Sequence, residues 1–406
     1  MKILVLLCGI LLFSCASNYD VLEVDEKLEI PPVEPVKIIQ TYKNPPRQEA
    51  LHLTFAGDIM AHNVNYNMKN YDIIYDDVRE ILYNDDISFA NLEVPVCDDL
   101  PYETYPTFNI QSPYAMAAVN GGFDAFSLSN NHTNDQGSKG IKSTLDFFES
   151  IRNRGIWNVG IKREDSISYE VIKNQGWTVL FASITEIVNA YNNIDEFDYY
   201  SFTEKGRNKL KNAIIELQKN NPHDIFVLGV HVAEPEYDTS ITDERRQWFY
   251  ELLDCGVDVI WGNHPHVTKE WELIKAAEGD KLIMYSIGNT ISGQNYWPAY
   301  DKPLHEYEDT GTSVLLQVKI SDKNHIAGEF TGYESAVPIL NIALNHTYIA
   351  THKDEYNNML IKQLTPEFIE QQNRINKDYY TVRLKDMQQF QGIIIDNNKD
   401  TSKIKI

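Results

Sequence analysis

Past residue 50 the chain alternates short, unbroken apolar runs with longer stretches in which apolar residues recur every three or four positions. The runs Leu51 to Ala56, Ile87 to Ala90, Ala125 to Leu128, Trp177 to Ile184, Ile225 to Val230, Val257 to Trp261, Lys281 to Ile287 and Ser313 to Val318 predict buried strands. Tyr75 to Tyr83, Pro113 to Asn120, Gly140 to Asn153, Glu204 to Asn220 and Asp243 to Asp254 predict helices. Their alternation argues for βα units around a largely buried sheet, which places the chain in the α/β class. No internal repeat is visible. After roughly residue 335 come short polar segments, a Glu-, Gln- and Lys-rich helical stretch from Pro366 to Phe390, an apolar run from Gly392 to Ile395 and a basic, polar tail. Residues 341–406 are therefore read as a C-terminal extension with a peripheral helix, either packed on the main domain or forming a small separate module.

The pattern before residue 50 is different. Lys2 precedes an almost unbroken apolar run from Ile3 to Phe13, which reads as a targeting segment too short to span a membrane as a mature helix. Leu12-Phe13-Ser14-Cys15 resembles a bacterial lipoprotein box, so residues 1–14 are expected to be removed and Cys15 acylated. An ordinary cleaved signal or a short membrane anchor are the alternatives, and each still sends the chain across the inner membrane. Residues 15–48 combine acidic side chains with Pro31, Pro32, Pro35, Pro45 and Pro46 and no sustained apolar period. Such a segment reads as an extended tether. Residues 49–340 are left as the main domain.

Hydrophobic residues make up 43% of the sequence, ample for a core, and the 11% aromatic content excludes a disordered chain. The formal net charge of −23 excludes nucleic acid as a partner, because such a surface repels phosphate backbones. A polyanionic partner would have to be met at a local positive site, and a bound metal cluster is one. Cys8 and Cys15 lie in the leader, and no cysteine pair has zinc-ligand spacing. Cys97 and Cys255 are expected to be buried unpaired thiols rather than a disulfide.

Several predicted strands end in residues that bind hard or borderline divalent ions. The first ends Gly57-Asp58, the second runs into Asn91-Leu92-Glu93, the third into Ser129-Asn130-Asn131-His132, and later ones end at His231 and at Gly262-Asn263-His264-Pro265-His266. In an open α/β sheet ligands bind beyond the carboxyl ends of the strands, so these segments can converge on one crevice. A mixed carboxylate, amide and imidazole set suits Mn, Fe or Zn rather than an all-oxygen calcium site. One or two divalent ions are expected. Two ions about 3.5–4 Å apart would need a bridging carboxylate and would activate a water at neutral pH. Taken singly, each motif has a plain alternative: Gly-Asp after a strand is common as a helix N-cap, and His264 or His266 could be a core histidine.

These segments, together with Glu236-Tyr237 and Tyr285-Ser286-Ile287-Gly288-Asn289, resemble the bacterial poly-γ-glutamate capsule-synthesis protein family, a branch of the calcineurin-like metallophosphoesterase fold. The likeness runs from about Leu51 to Val337. It implies a β-sandwich flanked by helices, in four layers α/β/β/α. It also implies that Asp58, Glu93, Asn131, His231, His264 and His266 are metal ligands, with Glu93 bridging. His132 would be the non-ligand histidine that gives a proton to a leaving group. Glu236 would lie near the pocket, pairing with a substrate ammonium or acting as a base. Two departures stand out. The fold's Asp-x-His is here Asp58-Ile59-Met60, which removes one ligand from the first metal position unless His62 takes it; otherwise His62 is a solvent-exposed loop residue. The branch's His-Trp-Gly is here His231-Val232-Ala233, with Pro235 before Glu236.

The function implied is an envelope lipoprotein of capsule or cell-surface polymer biosynthesis. It would be a metal-dependent hydrolase or transferase acting on an anionic cell-surface polymer, or on a phosphorylated or amide-linked small substrate. It would be held at the membrane by its lipid anchor, with a capsule synthesis complex as a further partner. The alternative is a non-catalytic polymer-binding or assembly lipoprotein on the same fold. The loops Asn189 to Tyr200 and Ile291 to Tyr307 would wall the crevice, with Trp297 and Tyr300 touching substrate or serving as ordinary surface aromatics.

Overall fold

In the computed structural model the described residues are 47–295, 306–324, 337–390, 392–396 and 404–405. The targeting segment, Cys15, nearly all of the tether, Trp297 and Tyr300 lie outside them. In chain order the strands are β1 Leu51–Ile59, β2 Ile87–Leu92, β3 Ala125–Ser127, β4 Trp157–Val159, β5 Tyr169–Asn174, β6 Trp177–Thr185, β7 Ile225–His231, β8 Val259–Asn263, β9 Trp271–Lys275, β10 Lys281–Met284, β11 Asn289–Ile291, β12 Thr312–Asp322, β13 Leu340–Lys353, β14 Met359–Gln363, β15 Ile393–Asp396 and β16 Ile404–Lys405. The helices are α1 Asn63–Tyr66, α2 Arg79–Tyr83, α3 Ser112–Gly121, α4 Gly137–Ile151, α5 Glu204–Asn220, α6 Asp243–Asp254, α7 Pro366–Glu370 and α8 Arg374–Met387.

Among the described residues the strands form two eight-stranded sheets. One runs β14-β13-β12-β1-β2-β3-β4, with β11 also on β1, and the other β16-β15-β9-β10-β8-β7-β6-β5. In the first, β1 to β4 are parallel and β12 to β14 add antiparallel strands; in the second, β6, β7, β8 and β10 are parallel. The parallel strands are apolar on both faces, as β7 shows with every residue from Ile225 to His231 buried.

One apolar layer lies between the sheets. Phe55 and Phe89 stack at 4.7 Å, Phe181 meets Phe89 edge-on at 5.1 Å, and the Trp261 indole N–H donates to the Ala56 carbonyl at 2.9 Å. A second core packs α3 and α4 on the first sheet through Tyr114, Ala118, Ile141 and Phe148. A third packs α5 and α6 on the other through Leu210, Ile214, Trp248 and Leu252. The four layers α/β/β/α are therefore present.

The sequence after residue 340 does more than add a helix. β13 pairs with β12 from Leu340 to Ala350, β14 follows, and β15 joins the other sheet beside β9. The polar letters of β13 hid this strand: only Leu340, Ile342 and Ile349 to Thr351 are buried, and the rest of it is partly or fully exposed. Helix α8 is fastened by the buried Arg383, which bonds Asp309 at 2.6 Å and Thr312 at 2.9 Å. Cys97 and Cys255 are free thiols, Cys97 buried and Cys255 only half-buried.

Strand register brings the polar strand ends together. Asp58 pairs with Asn91 on one side and Asn289 on the other, and His231 lies beside Asn263, next to His264. Gly57 is required here: a Cβ would stand 1.7 Å from the Gly288 carbonyl oxygen, the group that accepts the Asp58 N–H at 3.0 Å.

Candidate metal centre

Asp58 is the penultimate residue of β1 and is fully buried. Its Oδ1 accepts the Asn91 amide at 2.8 Å and its Oδ2 lies 3.1 Å from His266 Nδ1. Glu93 follows β2, anchored by its backbone N–H to the Ile59 carbonyl at 3.0 Å. Its Oε2 accepts Asn91 at 3.3 Å, whereas Oε1 is buried with no hydrogen-bond partner, 3.5 Å from His231 Nε2 and 3.8 Å from His266 Nε2. Asn131, after β3, presents Oδ1 at 2.9 Å from His231 Nε2. His264 Nδ1 is also buried without a partner, and the rings of His231 and His264 are 4.9 Å apart.

Donor atoms of Glu93, His231 and His264 lie within 4.8 Å of one another, and so do those of Asp58, Glu93 and His266. Glu93 is the residue shared by these two groups. The structure thus brings together all six side chains expected as ligands. His264 and His266 sit on a turn with φ of 103° and 60°, left-handed backbone that non-glycine residues rarely adopt and that costs about 1–3 kcal/mol each.

The electrostatics suit a cation. Burial and then the neighbouring Asp58 push the Glu93 carboxyl well above its ordinary range. Burial and the neighbouring histidines push His231 and His264 well below theirs, keeping lone pairs available. A buried carboxylate oxygen and a buried imidazole nitrogen, both lacking partners and facing other donors, cost stability unless a ligand satisfies them. A divalent ion of borderline character fits this donor set.

His132 lies beside these groups. Its Nδ1 is 2.7 Å from Asp135 Oδ2, which also accepts the Phe108 backbone N–H at 2.7 Å, and its ring meets Phe108 edge-on at 4.7 Å. Asn189 Nδ2 is 3.3 Å from the same Nδ1, and its Oδ1 accepts from Asn131 at 3.3 Å, so the loop from Asn189 does wall the site. Glu236 is exposed, yet its carboxylate lies within 4.8 Å of ring nitrogens of His264 and His266.

His62 is half-buried, not a solvent-exposed loop residue. Burial and then His266 lower its pKa to about 4. Its Nδ1 already accepts the Gly293 N–H at 3.0 Å, and it belongs to none of the groups close enough to hold an ion among the described residues. Met60 is buried where the second ligand of the Asp-x-His pattern would stand.

Asn91, Asp135 and Asn289 were not foreseen in any role, and Asn189 only as the first residue of a loop walling the crevice. Asn91 and Asn289 lie inside the motifs, and Asp135 stands three residues after His132, a spacing that signals an orienting carboxylate. Asn289 Oδ1 lies 3.1 Å from His266 Nδ1. Asn189 is brought in from another loop, and no local signal marks it.

Residues 52–294 match the family model of the bacterial capsule synthesis protein PGA_cap. The chain is 26% identical over 335 residues to "Capsule biosynthesis protein CapA" of Bacillus anthracis, covering 74% of this chain and 79% of that protein. It is 28% identical over 294 residues to "PGA biosynthesis protein CapA" of Bacillus subtilis (strain 168), covering 66% and 69%. Two solved structures also align. A hypothetical protein from Thermus thermophilus gives a TM-score of 0.41 at 14% identity, over 73% of this chain and 99% of that one. The calcineurin-like phosphoesterase YfkN from Bacillus subtilis gives 0.40 at 11%, over 84% and 98%.

Proposed function

This chain belongs to the bacterial capsule synthesis protein family, and we propose that it acts in capsule biosynthesis as a divalent-metal-dependent hydrolase or transferase on an anionic cell-surface polymer. The observation that carries the reading is Glu93 Oε1, a buried carboxylate oxygen without a partner that faces His231 on one side and His266 on the other. Asp58, Glu93 and His266 would hold one ion, and Glu93, Asn131, His231 and His264 a second. Bound there, the ions supply Lewis acidity and an acidified water for attack on a phosphoester or amide-type bond.

The other residues have separable tasks. Asp135 holds the His132 Nδ1–H, which leaves Nε2 to exchange a proton. As the scissile bond breaks, that proton passes to the departing oxygen or nitrogen while the electron pair of the bond leaves with it. Asn189 accepts a hydrogen bond from Asn131 beside the His132 ring, and Phe108 gives the ring an apolar flank that limits water.

A leaving-group series tests the assignment. With Mn²⁺ present, His132→Ala is expected to lose about 10²–10⁴-fold on an ester with a poor, alkoxide-like leaving group. It should lose far less on a p-nitrophenyl ester, whose leaving group needs no proton. Equal losses on both would contradict a proton-donor role. Absence of turnover by the loaded wild type on phosphoesters and γ-glutamyl amides alike would favour a second reading, a polymer-binding or assembly protein. The buried Met60 in place of a ligand histidine is what favours that reading.

Localisation follows from the N-terminus. Acylation of Cys15 would hold the domain on the membrane by a tether, within reach of surface polymer and of other capsule-synthesis proteins. Metabolic labelling with palmitate should mark the wild type and not Cys15→Ser; equal labelling of both would remove the anchor.

A further inference from the structure

The Asp58 group offers three carboxylate or imidazole side chains where a closed site commonly has four ligands, because Met60 supplies none. We propose that Glu236 is a metal-ligating carboxylate, which enters from the solvent side of the His264-Pro265-His266 turn and replaces the histidine missing at Met60. The inference rests on the metal-dependent reading above.

Three observations carry it. The first is reach: a Glu236 carboxylate oxygen and ring nitrogens of His264 and His266 all lie within 4.8 Å of one another. The second is that the loop is held in place by contacts unrelated to any ligand. The Ala233 N–H donates to Glu186 Oε2 at 3.0 Å, Glu234 accepts from Arg245 Nε at 3.1 Å and Lys269 Nζ at 2.6 Å, and the Tyr237 N–H donates to the Pro265 carbonyl at 2.9 Å. Tyr237 is held at φ 65°, a left-handed conformation that surrounding contacts must impose. The third is that Nδ1 of His264, one of the two histidines within reach of Glu236, is buried with no hydrogen-bond partner. A buried nitrogen of this kind costs stability unless a ligand satisfies it.

Glu236 itself makes no hydrogen bond or ion pair among the described residues, so nothing within them competes for its carboxylate. The charge balance is also favourable. Asp58, Glu93 and Glu236 carry three negative charges against four on two divalent ions. The centre would keep a single net positive charge, which attracts an anionic polymer to a chain whose formal charge is −23.

Calorimetric titration of the metal-free full-length protein with Mn²⁺ tests the assignment. Wild type is expected to take two ions. Glu236→Gln should weaken one of them by about 10-fold or more and leave the other unchanged. Glu236→Asp, one methylene shorter, should weaken the same ion by less. Because Glu236 is exposed, both variants should keep the wild-type unfolding temperature in EDTA, which separates a lost ligand from a lost fold. Two ions bound with wild-type affinity by Glu236→Gln would overturn the inference, even if turnover fell, and would make the residue a base or a substrate contact. No binding by wild type would overturn the metal-dependent reading itself and this inference with it.

Discussion

Glu93→Gln is expected to weaken both ions by more than about 100-fold while making the metal-free protein harder to unfold. The loss is double because Glu93 is shared by the two groups of donors, and it should exceed the 10–100-fold that removal of an outer-shell partner costs. The gain has another cause. The Glu93 carboxyl is pushed upward by burial and by Asp58, so the folded state disfavours its ionised form. For a carboxyl raised in this way, stability is fully present below its unfolded value of about 4.3 and is lost as pH rises toward the folded value. At neutral pH a neutral amide of the same shape removes that penalty. The advantage of Glu93→Gln in EDTA should therefore grow as pH rises from 5 to 8, and excess Mn²⁺ should reverse it. A variant that lost stability with and without metal would identify Glu93 as an ordinary structural carboxylate.

The second large effect lies just behind the metal site. Arg245 is fully buried, bonded to Glu186 through both terminal nitrogens at 3.0 and 2.6 Å and to Glu234 through Nε at 3.1 Å. The Trp248 indole adds a bond to Glu186 at 2.8 Å, and Lys269 one to Glu234 at 2.6 Å. Removing one member of such a network leaves charge buried without compensation, which costs far more than the net value of the pairs. Arg245→Ala is expected to lose about 3–5 kcal/mol in denaturant unfolding. Adding Glu186→Gln should recover part of that loss, because the two changes share one interaction. A loss under about 1 kcal/mol, the range of an exposed pair, would contradict the burial of this network. Because Glu186 and Glu234 also fix the loop from Ala233 to Tyr237, Arg245 supports the position of Glu236 as well as the fold.

Much of the centre is readable from letters alone, because strand ends in an α/β sheet sit where strand order requires. Asp58, Glu93, Asn131, His231 and His264 each follow an apolar run that could only be a buried strand. The shorter and more exposed strands were less visible. β13 and β14 carry polar residues on an exposed face, and β4 and β11 have only three residues each. β5 alternates buried and exposed positions, a pattern unlike the unbroken apolar runs of the central strands.

Partnerships across loops were out of reach for a different reason. The Asp135 hold on His132 is local and could have been read from its spacing. The Asn189 contact with His132 spans 57 residues, and the Gly293 contact with His62 spans 231. Both depend on how the loops fold back over the sheet ends, which periodicity does not encode. His62 shows the effect most clearly: the sequence offered a missing ligand or a free surface residue, and the structure has instead a half-buried acceptor for a backbone N–H.

Diffraction from crystals of the full-length protein grown with Mn²⁺, recorded for anomalous scattering, tests the central claim most directly. Two anomalous peaks are expected about 3.5–4 Å apart, with the Glu93 carboxylate between them. One peak lies toward Asp58 and His266, the other toward Asn131, His231 and His264. No peak at Glu93 under these conditions would contradict a metal centre and leave the buried carboxylate without a purpose.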